Sequence, residues 1–327
     1  MRLQDMLISA PEFRVETTDG LIHELMGPQH LRSNLQATPL RYLLDENASE
    51  MVANTAYNPN NVIAASCDML RFPATSMWLE WSQTGASKAI NALHLSERDL
   101  ATAHRRIGAL ITADDSGRRG TVQIAWSNDE NLCDVSPIIT EFDLDDPNFC
   151  DRGGQKTDAC KFQIKGLETL DCLYRHVRCR LDPSWQTYYR TYAPTEASRE
   201  QHFKKSLEAV AGDYPFIAAF LLMLNARGAL RQEPVVFDKL NKKRARTGKT
   251  QLLNHITVSL DLEPGEGRSG QHVRGGDGPR LHHVCGHLVR RGKSLFWRRA
   301  HLRGNPQKGV ISMRTVNVIR GGRSLAA

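Results

Sequence analysis

IGALITADDSGRRGTVQIAW, residues Ile107 to Trp126, is two apolar runs around a turn. Ile107–Ala113 (IGALITA) and Thr121–Trp126 (TVQIAW) have the length and composition of strands, and Asp115-Ser116-Gly117 supplies a turn between them. The stretch therefore predicts a β-hairpin. Upstream, Ser76–Trp81 (SMWLEW) reads as a third, core strand, with Glu80 on its exposed face or beside a site and no partner that the sequence names. Residues 1–70 read as helices and loops; LIHELMGPQHLRSNL has helical spacing, with Gly27-Pro28 as a breaker.

Downstream of the hairpin, Glu141–Cys160 (EFDLDDPNFCDRGGQKTDAC) is acidic and glycine-rich, which reads as a long loop. Helices are expected from Leu167 to about Leu230, with Asp213 as a cap and Pro215 in the first turn of FIAAFLLMLNAR. LNHITVSLDL then alternates like a strand, and the glycine-rich Glu263–Pro279 reads as a linker. The expected fold class is α+β: a mixed α/β domain with an acidic loop over 1–165, a mainly helical region ending in a strand over 166–262, a linker over 263–279, and a basic antiparallel β-meander over 280–327.

The 327 residues and 40% apolar content suit about two globular domains with a real core. No apolar h-region follows a basic start at MRLQDMLISAPEF, so no signal peptide is read. The longest apolar run, Phe216–Leu224, falls short of the roughly 20 residues a spanning helix needs, and reads as a buried helix with no membrane partner. Seven cysteines at irregular spacing do not form a secreted disulfide framework, so a cytoplasmic location is expected. No cofactor is expected.

The net charge of +7 conceals an asymmetry. From Asn241 to Ala327 there are 18 Lys and Arg against four acids, Asp261, Glu263, Glu266 and Asp277. That segment carries +14 and everything before it −7, and no carboxylate side chain follows Asp277. One end of the chain therefore calls for a polyanion, with a basic tail docked on the protein's own acidic part as the competing explanation.

The basic end is densest at Arg280–Gly304, RLHHVCGHLVRRGKSLFWRRAHLRG. Three strands are expected, His282–Arg290, Leu295–Arg303 and Val310–Arg320, with Gly292 and Asn305-Pro306 in the turns. A three-residue turn, Arg291-Gly292-Lys293, pairs Leu288 with Phe296 and His287 with Trp297. The same register sets His283 opposite His301 and Cys285 opposite Arg299. A two-residue turn at Arg291-Gly292 would mix polar and apolar residues on both faces, whereas the three-residue turn separates an apolar face from a polar one.

Three chemistries fit such a polar face. Phosphate contacts from Arg290, Arg291, Lys293, Arg298, Arg299 and Arg303, with Trp297 stacking on an unpaired base, would bind DNA or RNA. His283, His287 and His301 with Arg299 would supply the base, acid and cation of a metal-independent, ribonuclease-like cleavage. His283, Cys285 and His287, completed by His301, have strand-like metal-ligand spacing, although the surrounding arginines repel a dication and no acidic second shell is visible.

Elsewhere, KKRARTGK (Lys242–Lys249), with Lys242, Lys243 and Arg244, is either a second phosphate-contacting patch or a solvated loop. Asp143 and Asp145 in EFDLDD, followed by Gln163 and Lys165 in KFQIK, faintly resemble the PD-(D/E)xK nuclease pattern, in which carboxylates hold Mg²⁺. Cys172, His176 and Cys179 fall on one helical stripe and read as core rather than zinc ligands. ARTGKT and RRGKS each lack the first glycine of a phosphate-binding loop, so no ATPase is expected.

The ending, with His282–His287 as H-x-V-x-G-H, Phe296-Trp297-Arg298-Arg299 as an aromatic run before a basic pair, and His301–Gly304 as H-x-R-G, resembles that of a group of uncharacterised bacterial and phage-encoded proteins. RFPATSMWLEW is counted with the same resemblance, which implies a phage or mobile-element setting and no activity. The leading expectation is a nucleic-acid-binding protein. A nuclease and a phage structural or assembly protein are the alternatives.

Overall fold

Among the described residues eight strands build the central sheet: β3 (Leu40–Leu44), β4 (Ser76–Ser82), β5 (Arg106–Ala113), β6 (Arg119–Ser127), β7 (Cys133–Asp143), β8 (Val177–Leu181), β9 (Leu230–Val235) and β10 (His255–Leu260), in the order β8-β7-β6-β5-β4-β3-β10-β9. A short pair, β1 (Arg14–Glu16) and β2 (Ile22–Glu24), stands apart from it. The computed structural model describes residues 2–10, 14–16, 22–24, 26–57, 62–84, 86, 106–127, 133–152, 171–260, 280–284, 286–298, 301–303, 305–311, 319–320 and 323–324. The fold is α+β.

The hairpin read from Ile107–Trp126 is β5 and β6, paired antiparallel from Arg106↔Ser127 to Ala113↔Gly120. Its turn is held by the Asp114 carboxylate, which accepts from Ser116 Oγ at 2.6 Å and Arg118 N at 3.2 Å. Gly117 at the turn has φ +69°, a conformation that costs a side chain energy. Glycine is required again at Gly120, where a Cβ would lie 1.9 Å from the Thr112 carbonyl oxygen.

β3, β4 and β10 run parallel to one another, and the remaining neighbours are antiparallel. Both faces of the sheet are covered, so β4 is buried continuously from Met77 to Trp81 instead of alternating. One face carries Leu43, Trp78, Leu110, Ala125 and Val135. These pack with α1 (Leu3–Ser9), α2 (Met26–Ala37), and the Trp185–Tyr189 region that opens α5 (Gln186–Tyr192). The other face carries Leu44, Leu79, Ala109, Ile111 and Ile124. Here the cover is α3 (Glu46–Ala56), the end of α6 (Glu196–Ala211) and α7 (Asp213–Asn225).

Helix α7 is the apolar run Phe216–Leu224 in its place: every residue from Tyr214 to Met223 is buried. Together α6 and α7 are long and apolar enough to cross a membrane, but 72% of the qualifying window is buried inside the protein. Asp213 does not cap α7 as expected. It is the first helical residue, Gly212 holds the cap position, and burial pushes the Asp213 carboxyl up to about 8. The junction is held instead by two phenols, Tyr57 donating to Gly212 O at 2.7 Å and Tyr174 to Ala211 O at 2.9 Å.

The region expected to be mainly helical supplies α4 (Asp171–Tyr174) to α7 and α8 (Asp238–Arg246), but also three strands of the sheet, β8, β9 and β10. The stripe Cys172-His176-Cys179 therefore does not exist as one helix: Cys172 is in α4, His176 in the turn after it and Cys179 in β8. The boundary read at 165/166 and the linker 263–279 lie outside the described residues, and strands from both sides of residue 166 join one sheet.

Beyond residue 279 come β11 (Arg280–Val284), β12 (His287–Arg291), β13 (Ser294–Arg298), β14 (His301–Arg303) and β15 (Asn305–Ile311). β12 and β13 form a hairpin, and β11 pairs antiparallel with β14. Two expectations are corrected here. The third strand spans Asn305–Ile311 and runs parallel to β11, so Asn305-Pro306 begin a strand instead of making a turn. The hairpin turn is Gly292-Lys293, two residues long, because Arg291 pairs with Ser294. Leu288 consequently faces Trp297, Val289 faces Phe296 and His287 faces Arg298, one residue away from the register expected.

Candidate nucleic-acid interface

The observed register sorts the β12–β13 hairpin into a face toward the body and a face toward solvent. Leu288 and Leu295 are buried in the main core, and Trp297 packs partly buried against it. The Trp297 ring also lies over Gly286, where a Cβ would come within 2.8 Å of it. Trp297 is thus half-buried support for the hairpin rather than an open stacking platform.

Arg290 lies on this inward face as well, opposite Leu295. Its guanidinium meets the Asp68 carboxylate through two hydrogen bonds, Nη1–Oδ1 at 2.6 Å and Nη2–Oδ2 at 2.9 Å, and also donates to the Ala65 carbonyl and to Gly292 O. The bidentate bond to Arg290 holds the Asp68 carboxyl below its usual range. Here the basic end does dock on the protein's own acidic residue, the explanation that competes with a polyanion partner for Arg290.

The other side of the hairpin is a different environment. Arg291 is exposed and sits over the Phe296 ring, 5.4 Å from its centroid. Lys293 is exposed in the turn, beside Gly292 at φ +57°, and Arg298 is exposed opposite His287. Arg299 and Cys285 lie outside the described residues. For His283, His301 and Arg303 the strand register is defined: His283 pairs with Leu302, Val284 with His301, and His282 with Arg303. The expected cross-strand pairing of His283 with His301 is not formed. The reason is the shorter turn, which shifts every pairing by one.

The second basic patch is a helix, not a loop. α8, DKLNKKRAR, joins β9 at the edge of the sheet to β10, and none of its residues is buried. Lys239, Lys242, Lys243 and Arg246 are exposed on it, and Arg244 is half-buried, with Nε donating to Thr250 O at 2.6 Å. Among the described residues none of these five cations has a salt-bridge partner. The helix is tied down by Asn241, which exchanges two 2.8 Å hydrogen bonds with the Leu252 backbone. Lys243, Arg244 and Arg246 fall in the last turn, where cations complement the helix dipole. Leu240 is 44% exposed and Val236, just before the helix, 61%.

The acidic candidates have cationic partners already. Asp145 pairs with Arg118 at 2.5 Å, and Arg119 lies 3.2 Å from Asp143 and 3.8 Å from Asp145. Glu141 and Asp143 belong to strand β7, and Gln163 and Lys165 lie outside the described residues. Among the described residues no three His, Cys, Asp or Glu side chains converge as a metal site.

Glu80, for which the sequence named no partner, is fully buried and has four. It accepts from Leu3 N at 2.9 Å, Gln4 N at 3.0 Å and Trp78 Nε1 at 3.2 Å, and it pairs with Arg106. A carboxylate at the first turn of α1 answers the unpaired N–H groups and positive dipole end there. Its role is to seat the N-terminal helix on the sheet. Leu3 lies 77 residues from Glu80 in the chain, beyond the reach of any local motif. No protein-family model matches the chain, and no curated protein or solved structure matches it either.

Proposed function

We propose that this protein binds nucleic acid, DNA or RNA, through two basic surfaces: the exposed helix α8 and the solvent face of the C-terminal hairpin. The observation that carries the reading is α8 itself. A nine-residue helix that buries no residue gains little from its own body. Its exposed cations lack described carboxylate partners, so its chemistry suits a partner that brings negative charge. Lys242, Lys243 and Arg244, with Lys239 and Arg246, supply one phosphate-contacting set; Arg291, Lys293 and Arg298 supply the other. Arg290 and Trp297 serve by holding the hairpin in place. Nucleic-acid binding also accounts for the +14 charge of the final segment and agrees with the phage or mobile-element setting that the ending implies.

The test is binding to single- and double-stranded DNA and RNA across a salt series. Affinity should fall steeply as salt rises. K242A/K243A/R246A should lower the duplex slope of log K against log salt by about 0.9 for each phosphate that the variant no longer neutralises. Absence of binding to all four probes at low salt would overturn the proposal. An unchanged slope in the triple variant would remove α8 from it.

A further inference from the structure

Of the five described cysteines, two meet. Cys67 Sγ lies 3.5 Å from Cys172 Sγ, although the residues are 105 apart in the chain. Cys67 stands in the short 3₁₀ segment Ala64–Met69, and Cys172 in α4. Both residues are partly exposed. Cys179, by contrast, is buried beside the Thr140 and Tyr214 hydroxyls, 3.4 and 3.9 Å away. A disulfide needs its sulfurs at about 2.05 Å, so closing this pair takes an approach of roughly 1.5 Å, within the range of side-chain rotation.

The position of the pair gives the bond a consequence. Ala65 O and the Asp68 carboxylate, on either side of Cys67, are the groups that receive Arg290 of the basic hairpin. Arg118 holds the same segment, donating to Asp68 O at 3.3 Å and Leu70 O at 2.9 Å. We propose that Cys67 and Cys172 are a dithiol that closes reversibly to a disulfide, bracing the seat of the hairpin against α4. With a low-molecular-weight disulfide as oxidant, one protein thiolate attacks it and releases the first small thiol. The second protein thiolate then attacks the mixed disulfide and releases the other. Two protein thiols and one small disulfide become one protein disulfide and two small thiols. The hydrogen bond shared with Cys172, which holds the protonated thiol, and then burial push the Cys67 thiol up, which makes the exchange slow at neutral pH.

The experiment treats the full chain with oxidised glutathione, blocks remaining thiols by alkylation and maps peptides without reduction. The expected result is a Cys67–Cys172 peptide lighter by two hydrogens, restored to two alkylated cysteines by dithiothreitol. Because the bond closes a long loop, the oxidised protein should melt roughly 5 °C higher or more. C172S, or C67S should C172S not fold, should lose both the linked peptide and the shift. Uptake of glutathione without a link, a link of either residue to a different cysteine, or a protein that stays fully reduced would each overturn the proposal. None of these readouts depends on nucleic-acid binding.

Discussion

Two hairpins in this molecule use the same device to different ends. β5–β6 lies inside the sheet, with helices over both faces and a strand on each side. β12–β13 is a two-stranded ribbon that seats Leu288, Leu295 and Trp297 on the core and leaves its other face to solvent. In the first, a shift of pairing would displace buried side chains on both faces. In the second, a single shift separates the expected register from the observed one, and the inner face settles it. Leu288 and Leu295 are diagonal neighbours there, next to Trp297 and to the Arg290–Asp68 pair. A buried strand pair is fixed by its environment throughout, whereas an edge ribbon is fixed by a few anchors and its turn.

The contrast can be broken from either side. Gly120→Ala should cause the largest loss, about 3 kcal/mol or more on a denaturant curve, because its Cβ would meet the Thr112 carbonyl oxygen at 1.9 Å. An unchanged midpoint would mean that β5 and β6 can separate without disturbing the sheet. Leu288→Ala should cost about 2–3 kcal/mol if the ribbon unfolds with the core. If instead the midpoint holds and only proteolysis near residues 286–298 accelerates, the ribbon opens by itself. Gly292→Ala should cost about 1 kcal/mol, since nothing lies within 4 Å of the added Cβ and only the φ of +57° opposes it.

The smallest effect on stability belongs to Asp68→Asn, under about 1 kcal/mol, because the pair is partly exposed and screened. Its value is in the pH dependence. The folded Asp68 carboxyl is depressed by Arg290, so its contribution is present above the unfolded value near 4 and is lost as pH falls through the lower folded value. Proteolysis of the ribbon should therefore accelerate below about pH 4 in the parent and show less of that change in the variant. Equal acceleration in both would assign the acid sensitivity to other carboxylates.

What was legible and what was not follows from the range of each interaction. β5, β6 and the core of β4 were readable because their runs are long, apolar and bounded by a turn. β3, LRYLL, is too short at five residues to show a strand pattern, and β8 lies within a sequence of helical spacing. The Lys242–Lys249 patch was visible as charge, but not as a helix, because it has no apolar stripe to bury. Within the C-terminal set, Arg290 and Arg291 are adjacent and chemically identical. One is committed to Asp68, 222 residues away, and the other sits exposed over Phe296.

Residue type and order by themselves determined the α+β content, the β5–β6 hairpin, the buried apolar helix and the concentration of cations after Asn241. Those properties arise from neighbours in the chain, from side-chain periodicity and from composition, all of which are local. The tertiary structure alone decided that one sheet gathers strands from residue 40 to residue 260, that Glu80 seats α1, that His283 and His301 are not paired, and that Cys67 meets Cys172. Each of these depends on which distant segments share a surface, and that is settled by burying apolar area on both faces of the sheet at once.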